Sequence, residues 1–428
     1  MTRAMKPSGV DWLGDIPQEW QVAKLKHSIR WKSVKGNPDG MVLSLYRDYG
    51  VIPKDSRDDN HNVTSLDTST YKVVDVGDFV INKMKAWQGS MGVSEYCGII
   101  SPAYHVCEIT NPNIYKKYFH LLMRNPVYLP EYTRLSTGMR TGQWDLGYDD
   151  FKNIPFLIPP YDEQIRIASF LERKCSEIDS VIADTQHTIE EYKKLKQSII
   201  TEAVTKGVRV DRRMKKVDIE LVNIIPEGWR YSPIKYVASF QPSCETSALS
   251  EDSEITYTPM DCIKNGYYIQ NTAKYGAVTS SLTPYEEGDI VMAKVTPCFE
   301  NGNIAIMENL ASGFGMGSSE LFVYRATGVN KRFLLYWLQN DKFKDDACAT
   351  MTGTGGLKRV SPYYAKNAMM LLPPDEEQAE IVAFLDGKCA VVDRLIAAKE
   401  LLLAELESYK KSVIYEYVTG KKEVPACQ

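Results

Sequence analysis

Several short stretches of this sequence imitate catalytic or cofactor-binding motifs, and each fails on chemistry. Ile158-Pro159-Pro160-Tyr161 is one residue away from the Asn/Asp-Pro-Pro-Tyr signature of amino-methyltransferases acting on DNA. That reaction needs a leading Asn or Asp to accept hydrogen bonds from the target amine, and Ile158 offers no acceptor. Gly313-Phe314-Gly315-Met316-Gly317 resembles half of a dinucleotide loop, but the strand-like SSELFVYR follows it, so no helix N-terminus faces a phosphate. No GxxxxGK[ST] is present to drive a nucleotide-dependent motor. Glu191-Tyr192-Lys193 is the nearest approach to a nuclease cluster, and it falls on a solvated helix face. The nine cysteines, at 97, 107, 175, 244, 262, 298, 348, 389 and 427, never form a CxxC. They read as reduced thiols packed as small hydrophobes, with no zinc knuckle or disulfide framework.

The elements that carry these residues occur twice. The stretch from Pro159, PPYDEQIRIASFLERKCSEIDSVIA, returns from Pro373 as PPDEEQAEIVAFLDGKCAVVDRLIA, offset by 214 positions. Without a gap, 19 of 47 positions are identical up to Val204-Thr205 and Val418-Thr419. Ile16-Pro17 and Trp20 pair with Ile225-Pro226 and Trp229, and Gly77-Asp78 and Lys83 pair with Gly288-Asp289 and Lys294. All five histidines (His27, His61, His105, His120 and His187) lie in the first copy, so no job shared by the two copies can depend on one.

Each copy begins with a mixed region of short β-branched and aromatic runs, such as VVDVGDFVIN, GDIVMAKV and SELFVYR, broken by Gly, Asn, Pro and Ser. One helical segment sits inside each: IYKKYFHLLMRN, then NKRFLLYWLQN. A Pro-Pro pair closes the mixed region and an acidic cluster opens a long helix, where carboxylates suit the positive end of the helix dipole. Ile165, Ala168, Leu171, Cys175, Ile178, Ile182, Ile189, Tyr192, Leu195 and Ile199 recur at steps of three and four, with Thr185 in the one gap. Leu385, Cys389, Val392, Ile396, Leu403, Leu406 and Val413 repeat the pattern. Such a narrow stripe over some 65 Å of helix, at about 1.5 Å per residue, predicts a coiled-coil seam. If the copies are related by a pseudo-twofold axis, the helices run antiparallel. The segment before Ile16 and the tail after Thr419 then meet, and the chain is close to circular. The expected divisions are 1–158, a mixed domain; 159–208, the first long helix; 209–372, the second mixed domain; and 373–428, the second helix and tail. The fold class is α+β, with two duplicated α/β domains separated by two long antiparallel helices.

The chain has 428 residues, 44% of them hydrophobic and 25% charged, which suits two or three domains with sizeable cores. No apolar run approaches a transmembrane length, and the N-terminus has no apolar signal core, so a cytoplasmic protein is expected. A net charge of −4 speaks against a nucleic-acid partner taken as a whole-chain sum. The acidic excess is concentrated in the second copy and the last helix, and local basic patches do not show in a total.

Two divergent mixed domains, each followed by a Pro-Pro-x-x-Glu-Gln long helix, resemble the DNA-specificity (S) subunit of type I restriction–modification systems. The resemblance covers essentially the whole chain. It is carried by SGVDWLGDIPQEW (8–20), VVDVGDFVINKMKAWQGSMGVSEYCGIISPAY (73–104) and RLSTGMRTGQWDLGYDDFKNIPFLIPPYDEQ (134–164). The second copy supplies GSSELFVYR and TGTGGLKRVSPYYAKNAMMLLPPDEEQ. It has Val295-Thr296-Pro297-Cys298 where the first has the AWQG motif, so contacts cannot simply be copied between them.

The resemblance implies a non-catalytic subunit in which each mixed domain is a target recognition domain reading one half of a split DNA sequence, with the spacer set by the helices. It implies methyltransferase (M) subunits, two of them, and restriction (R) subunits as partners. S-adenosylmethionine, ATP and magnesium would then sit on those partners, with no cofactor on this chain. Sequence readout wants Arg or Lys on guanine and Asn or Gln on adenine, with Lys, Ser or Thr on phosphates. The candidates in domain one are Lys83, Lys85, Trp87 and Gln88, then Arg140 and Gln143 in the Gly-flanked loop STGMRTGQW. In domain two they are Lys294 and Thr296, then Thr354, Lys358 and Arg359. Glu163, Gln164, Glu377 and Gln378, at the Pro-Pro corners, are candidates for partner docking. The competing reading is a two-lobed coiled-coil scaffold, or an antirestriction decoy that binds the methyltransferase partner without DNA.

Overall fold

The structure is a computed structural model and describes residues 3–37, 39–47, 49–57, 68–138, 144–219, 222–278 and 281–425. The chain divides into two compact units, Met1–Gln186 with Leu401–Gln428, and His187–Glu400. The division cuts both long helices, Tyr161–Lys206 and Asp375–Val418, near their middles rather than at their ends. Each half-helix is held by a core of its own unit. Ile167, Ala168, Leu171, Val413 and Val418 pack with Trp20, Phe119 and Phe156 in unit 1. Ile200, Val204, Ile381 and Leu385 pack with Trp229, Phe333 and Trp337 in unit 2.

The duplication is exact in topology at the centre of each unit. Unit 1 holds an antiparallel four-stranded sheet in the spatial order Ile29–Lys32, Tyr104–Ile109, Phe79–Asn82, Met91–Val93. Unit 2 repeats it with Ala238–Phe240, Leu321–Ala326, Ile290–Ala293, Ile304–Ile306. The Gly-Asp landmark of the sequence sets up the third strand in each. Asp78 accepts from the Asp75 amide and Asp289 from the Glu286 amide, both at 2.8 Å, closing the turn that enters the strand. Both carboxylates are buried and met by a cation: Lys32 on Asp78, and Arg325 in a bidentate pair with Asp289 at 2.7 and 2.8 Å. Unit 2 adds a second four-stranded sheet, Thr272–Lys274, Glu254–Thr258, Phe314–Gly317 and Thr283–Glu286. All of the glycine run but Gly313 therefore lies in a strand, Phe314–Gly317, paired on both sides.

Within each unit the two half-helices run antiparallel. In unit 1 Lys410 Nζ meets both oxygens of Asp179, at 2.6 and 2.7 Å, and Phe170 packs on Tyr417 with ring centroids 4.6 Å apart. In unit 2 Lys196 Nζ meets both oxygens of Asp393, at 2.7 and 2.8 Å. Lys196 and Lys410 are equivalent in the repeat, as are Asp179 and Asp393, so one ion pair is built twice by exchanged partners. The apolar stripe faces inward as expected at Ile178, Thr185, Ile189, Cys389, Val392 and Val413, which are buried. Leu195 is the exception: it is 49% exposed, because at that position the seam is carried by its neighbours Tyr192 and Ile199.

The helix ends and the chain start meet inside unit 1, as the circular arrangement requires. Lys421 donates to the backbone oxygens of Leu13 and Asp15. Gly420, at φ +72°, ends the second helix against Trp20 and Pro17, where a Cβ would lie 2.5 Å from the proline ring. Gly207, at φ +79°, does the same beside Trp229 in unit 2. A left-handed residue just past the helix end is the usual glycine cap, and here the side chain of any other residue would also collide.

Candidate nucleic-acid interface

The sequence nominated two separate stretches in each copy, and the structure brings them together. In unit 2 the strands Thr352–Thr354 and Leu357–Arg359 form a hairpin whose turn residues, Gly355 and Gly356, have φ of +64° and +81°. Two successive positive φ values fit a turn that follows the twist of the strands, and only glycine takes both without strain. Thr296 lies beneath this hairpin. Its hydroxyl donates to Gly356 O at 2.8 Å and accepts from the Lys358 amide at 2.9 Å. Its own amide donates to Lys358 O at 2.9 Å, and the Val360 amide donates to Lys294 O at 2.9 Å. The hairpin is thus fastened to the segment that follows the central strand Ile290–Ala293.

Unit 1 repeats the arrangement. Ser136-Thr137 pairs with Asp145-Leu146, the Leu146 amide donates to Lys83 O at 3.0 Å, and Trp87 meets Trp144 with ring centroids 5.3 Å apart. Arg140 and Gln143 lie outside the described residues. Lys85 is exposed. Lys83 is half-buried and pairs with Asp145 Oδ2 at 3.0 Å. Trp87 donates its indole N–H to Met84 O at 3.2 Å, and Gln88 stands beside it, partly exposed.

In unit 2 Thr354, Lys358 and Arg359 are exposed. Arg359 is bound by Glu320, Nε to Oε2 at 2.9 Å and Nη2 to Oε1 at 2.7 Å. Lys294 is half-buried, with Nζ donating to Ser319 O at 2.7 Å and standing 5.6 Å from the Phe322 ring. Two expectations change. Thr296 is buried with both hydroxyl bonds spent on the hairpin, so it shapes the surface instead of presenting itself on it.

The second change concerns the Pro-Pro corners. Glu163, Gln164, Glu377 and Gln378 are all buried and engaged within their own units. Glu163 receives Arg3 Nη2 at 2.8 Å and the Trp20 indole at 3.0 Å. Glu377 receives Arg212 Nη2 at 3.1 Å and the Trp229 indole at 3.0 Å. Gln164 accepts from the Tyr115 amide at 2.8 Å, and Gln378 from the Asn330 amide at 2.9 Å. Burial alone raises the Glu377 carboxyl, but the hydrogen bonds of Arg212 and Trp229 and the arginine charges outweigh it, leaving the carboxyl below its ordinary range. These four residues anchor each long helix to its domain and leave no surface for a docking partner.

Sequence reasoning missed a group beside Lys83 in unit 1. Lys72 is buried, donates Nζ to Tyr104 O at 2.5 Å, stands 5.4 Å from the Trp31 ring and has no carboxylate partner among the described residues. Burial, and then the charges of Lys83 and Lys35, push its amine below the usual range. His105 lies 4.7 Å from the Trp31 ring, with Nε2 bonded to Leu146 O at 3.2 Å and Nδ1 without a partner among the described residues. The signal was available: Lys72 interrupts an apolar strand, YKVV, where a charge needs a reason. The sheet register makes Phe240 and Phe322 the counterparts of Trp31 and His105, 5.1 Å apart. The two units therefore share a scaffold and differ in the side chains it displays.

Two α/β domains in one chain, each fastened to an antiparallel helix pair and each carrying a hairpin braced against the exit of its central strand, define a duplicated two-domain architecture. No family model matches the sequence. A stretch of 194 residues is 31% identical to the type I restriction enzyme EcoEI specificity subunit of Escherichia coli, covering 44% of this chain and 32% of that protein. Over 433 residues the chain is 25% identical to the MjaVIII specificity subunit of Methanocaldococcus jannaschii, covering 96% and 94%. The match thus spans about a third of the length of the EcoEI subunit and nearly all of the MjaVIII one. A solved chain from a type I R-M system superposes with a TM-score of 0.68 at 15% identity, covering 95% of this chain and 99% of that one. The chain is thus similar in sequence to type I restriction specificity subunits and shares the fold of a solved type I R-M chain.

Proposed function

We propose that this chain is the sequence-specific DNA-recognition subunit of a type I restriction–modification complex, with each mixed domain reading one half of a bipartite site. The observation that carries the reading is the repeated junction of hairpin and strand-exit segment, which collects Lys83, Lys85, Trp87 and Gln88 in one unit and Lys294, Thr354, Lys358 and Arg359 in the other. Two different readers on one duplicated frame suit a split, asymmetric target, with the helices setting the spacer.

The chain then carries no chemistry of its own and recruits methyltransferase and restriction subunits, which bring S-adenosylmethionine, ATP and magnesium. It works in the cytoplasm, and none of its described helices is long and apolar enough to cross a membrane. The helix surfaces support two copies of one partner. Val181 and Tyr409 are 47% and 51% exposed in unit 1, and their repeat equivalents Leu395 and Leu195 are 44% and 49% exposed in unit 2. Large apolar side chains left outside at equivalent positions offer the same contact twice.

Methylome sequencing of a host that expresses the chain with its methyltransferase subunit tests the reading. A single bipartite motif with a fixed spacer is expected, and Arg140→Ala with Gln143→Ala should weaken methylation through the first half-site. A complex that assembles but neither methylates nor binds any defined sequence would favour the scaffold reading instead.

A further inference from the structure

The Arg359–Glu320 pair has a geometry that a surface ion pair does not need. Glu320 takes Nε–H and one Nη2–H, approaching the guanidinium from its side. A guanidinium has five N–H groups in a fixed plane, so both Nη1 hydrogens and the second Nη2 hydrogen remain. These include the two parallel N–H bonds of the outer end, the pair that matches O6 and N7 of guanine in the major groove. The carboxylate fixes the plane while that end has no partner among the described residues, and the arginine side chain is 48% exposed.

The support beneath is rigid. Arg359 sits on the second strand of the hairpin opposite Thr352, bridges to Val295, and follows Lys358, whose amide and carbonyl are both held by Thr296. An isolated exposed ion pair contributes little stability, so the bidentate geometry on a braced strand asks for another role. The repeat supplies a comparison. Thr352 pairs with Arg359 in unit 2 as Thr137 pairs with Asp145 in unit 1, so the equivalent position carries the opposite charge. There Lys83 holds Asp145 by Oδ2, while Oδ1 is buried and has no hydrogen-bond partner among the described residues. One place on the frame thus carries a guanidinium in one unit and a carboxylate in the other.

We propose that Arg359, oriented by Glu320, reads a guanine in the half-site of unit 2. Arg359 contacts the base; Glu320 is a positioning residue. This rests on the DNA-recognition reading above and adds the residue and the base to it.

The test uses the full chain in complex with its methyltransferase subunit and its own DNA motif, with 7-deazaguanine placed in turn at each guanine of the unit-2 half-site. The wild-type complex should lose affinity at one guanine, by about 5-fold to about 150-fold for a bidentate contact. Arg359→Ala should bind the unmodified site weakly and become indifferent to 7-deazaguanine there. Arg359→Lys keeps the charge and should keep nonspecific binding while losing the same discrimination. Glu320→Gln should reduce discrimination while leaving the melting temperature and the salt dependence near wild type, which loss of fold would not do. Undiminished discrimination in both arginine variants, or a unit-2 half-site without guanine, overturns the proposal and leaves DNA recognition standing. A wild-type complex with no sequence preference overturns both, and is distinguished by failing before any variant is made.

Discussion

The indole N–H of Trp229 donates to Glu377 Oε2 at 3.0 Å, joining the turn before the strand Arg230–Pro233 to the opening turn of the helix Asp375–Val418. Trp20 and Glu163 make the same bond at the same distance in unit 1. Arg212 and Arg3 complete the two clamps, each with a guanidinium on the carboxylate and over the indole face, 5.5 and 5.6 Å from the ring centroid. A buried carboxylate at a helix start is tolerated because it is paired, and because that end of the helix favours negative charge.

Removing the acid should therefore be costly. Glu377→Ala leaves a half-buried arginine and a buried indole without their acceptor and is expected to lower unfolding free energy by about 3 kcal/mol. Trp229→Phe removes one hydrogen bond and some packing, and should cost about 1–2 kcal/mol. Chemical denaturation of the purified chain measures both. A Glu377→Ala variant as stable as wild type would show that the clamp is incidental.

The same carboxyl sets an acid sensitivity. Its folded pKa lies below its ordinary 4.5, so it contributes stability that is complete above that value and is lost as pH falls through the folded one. Melting temperature measured from pH 6 downward, by about half-unit steps, should fall once the pH passes below 4.5. Glu377→Gln should flatten part of that fall. Equal slopes in the two proteins would assign the acid transition to other groups.

Thr296 offers a separation of shape from stability. Thr296→Val keeps the volume but removes both hydroxyl bonds to the hairpin, at about 1 kcal/mol. Amide exchange at Leu357, Lys358 and Arg359 should accelerate, and affinity for the unit-2 half-site should drop while the first half-site is read as before. Equal weakening of both half-sites would contradict a local role.

The exposed helix positions should govern assembly rather than folding. Val181→Asp with Leu395→Asp places a charge on the same face in each unit, outside both cores. The variant should fold with a melting temperature near that of wild type and fail to retain the methyltransferase subunit in size-exclusion chromatography. Single substitutions should leave a complex with one copy of the partner. Normal assembly of the double variant would move the docking surface elsewhere.

The sequence by itself determined the duplication, the two mixed domains and the two long helices, because repeats and apolar periodicity are local patterns. The antiparallel sense followed from the order of equivalent segments, and the exchanged Lys196–Asp393 and Lys410–Asp179 pairs bear it out. It also singled out the segments around Lys83 and Arg359, which the fold joins to a hairpin in each unit. Only the tertiary structure decided what each polar residue does there. Glu163 and Glu377 sit in helix-opening clusters that read as surface, yet an indole and an arginine from distant segments bury them. Thr296 reads as a contact residue and is a brace, while Glu320 had no signal at all until a strand 39 residues away placed Arg359 against it. A carboxylate's surroundings come from chain segments far apart in sequence, so its role as clamp, brace or partner is set by the fold that brings them together.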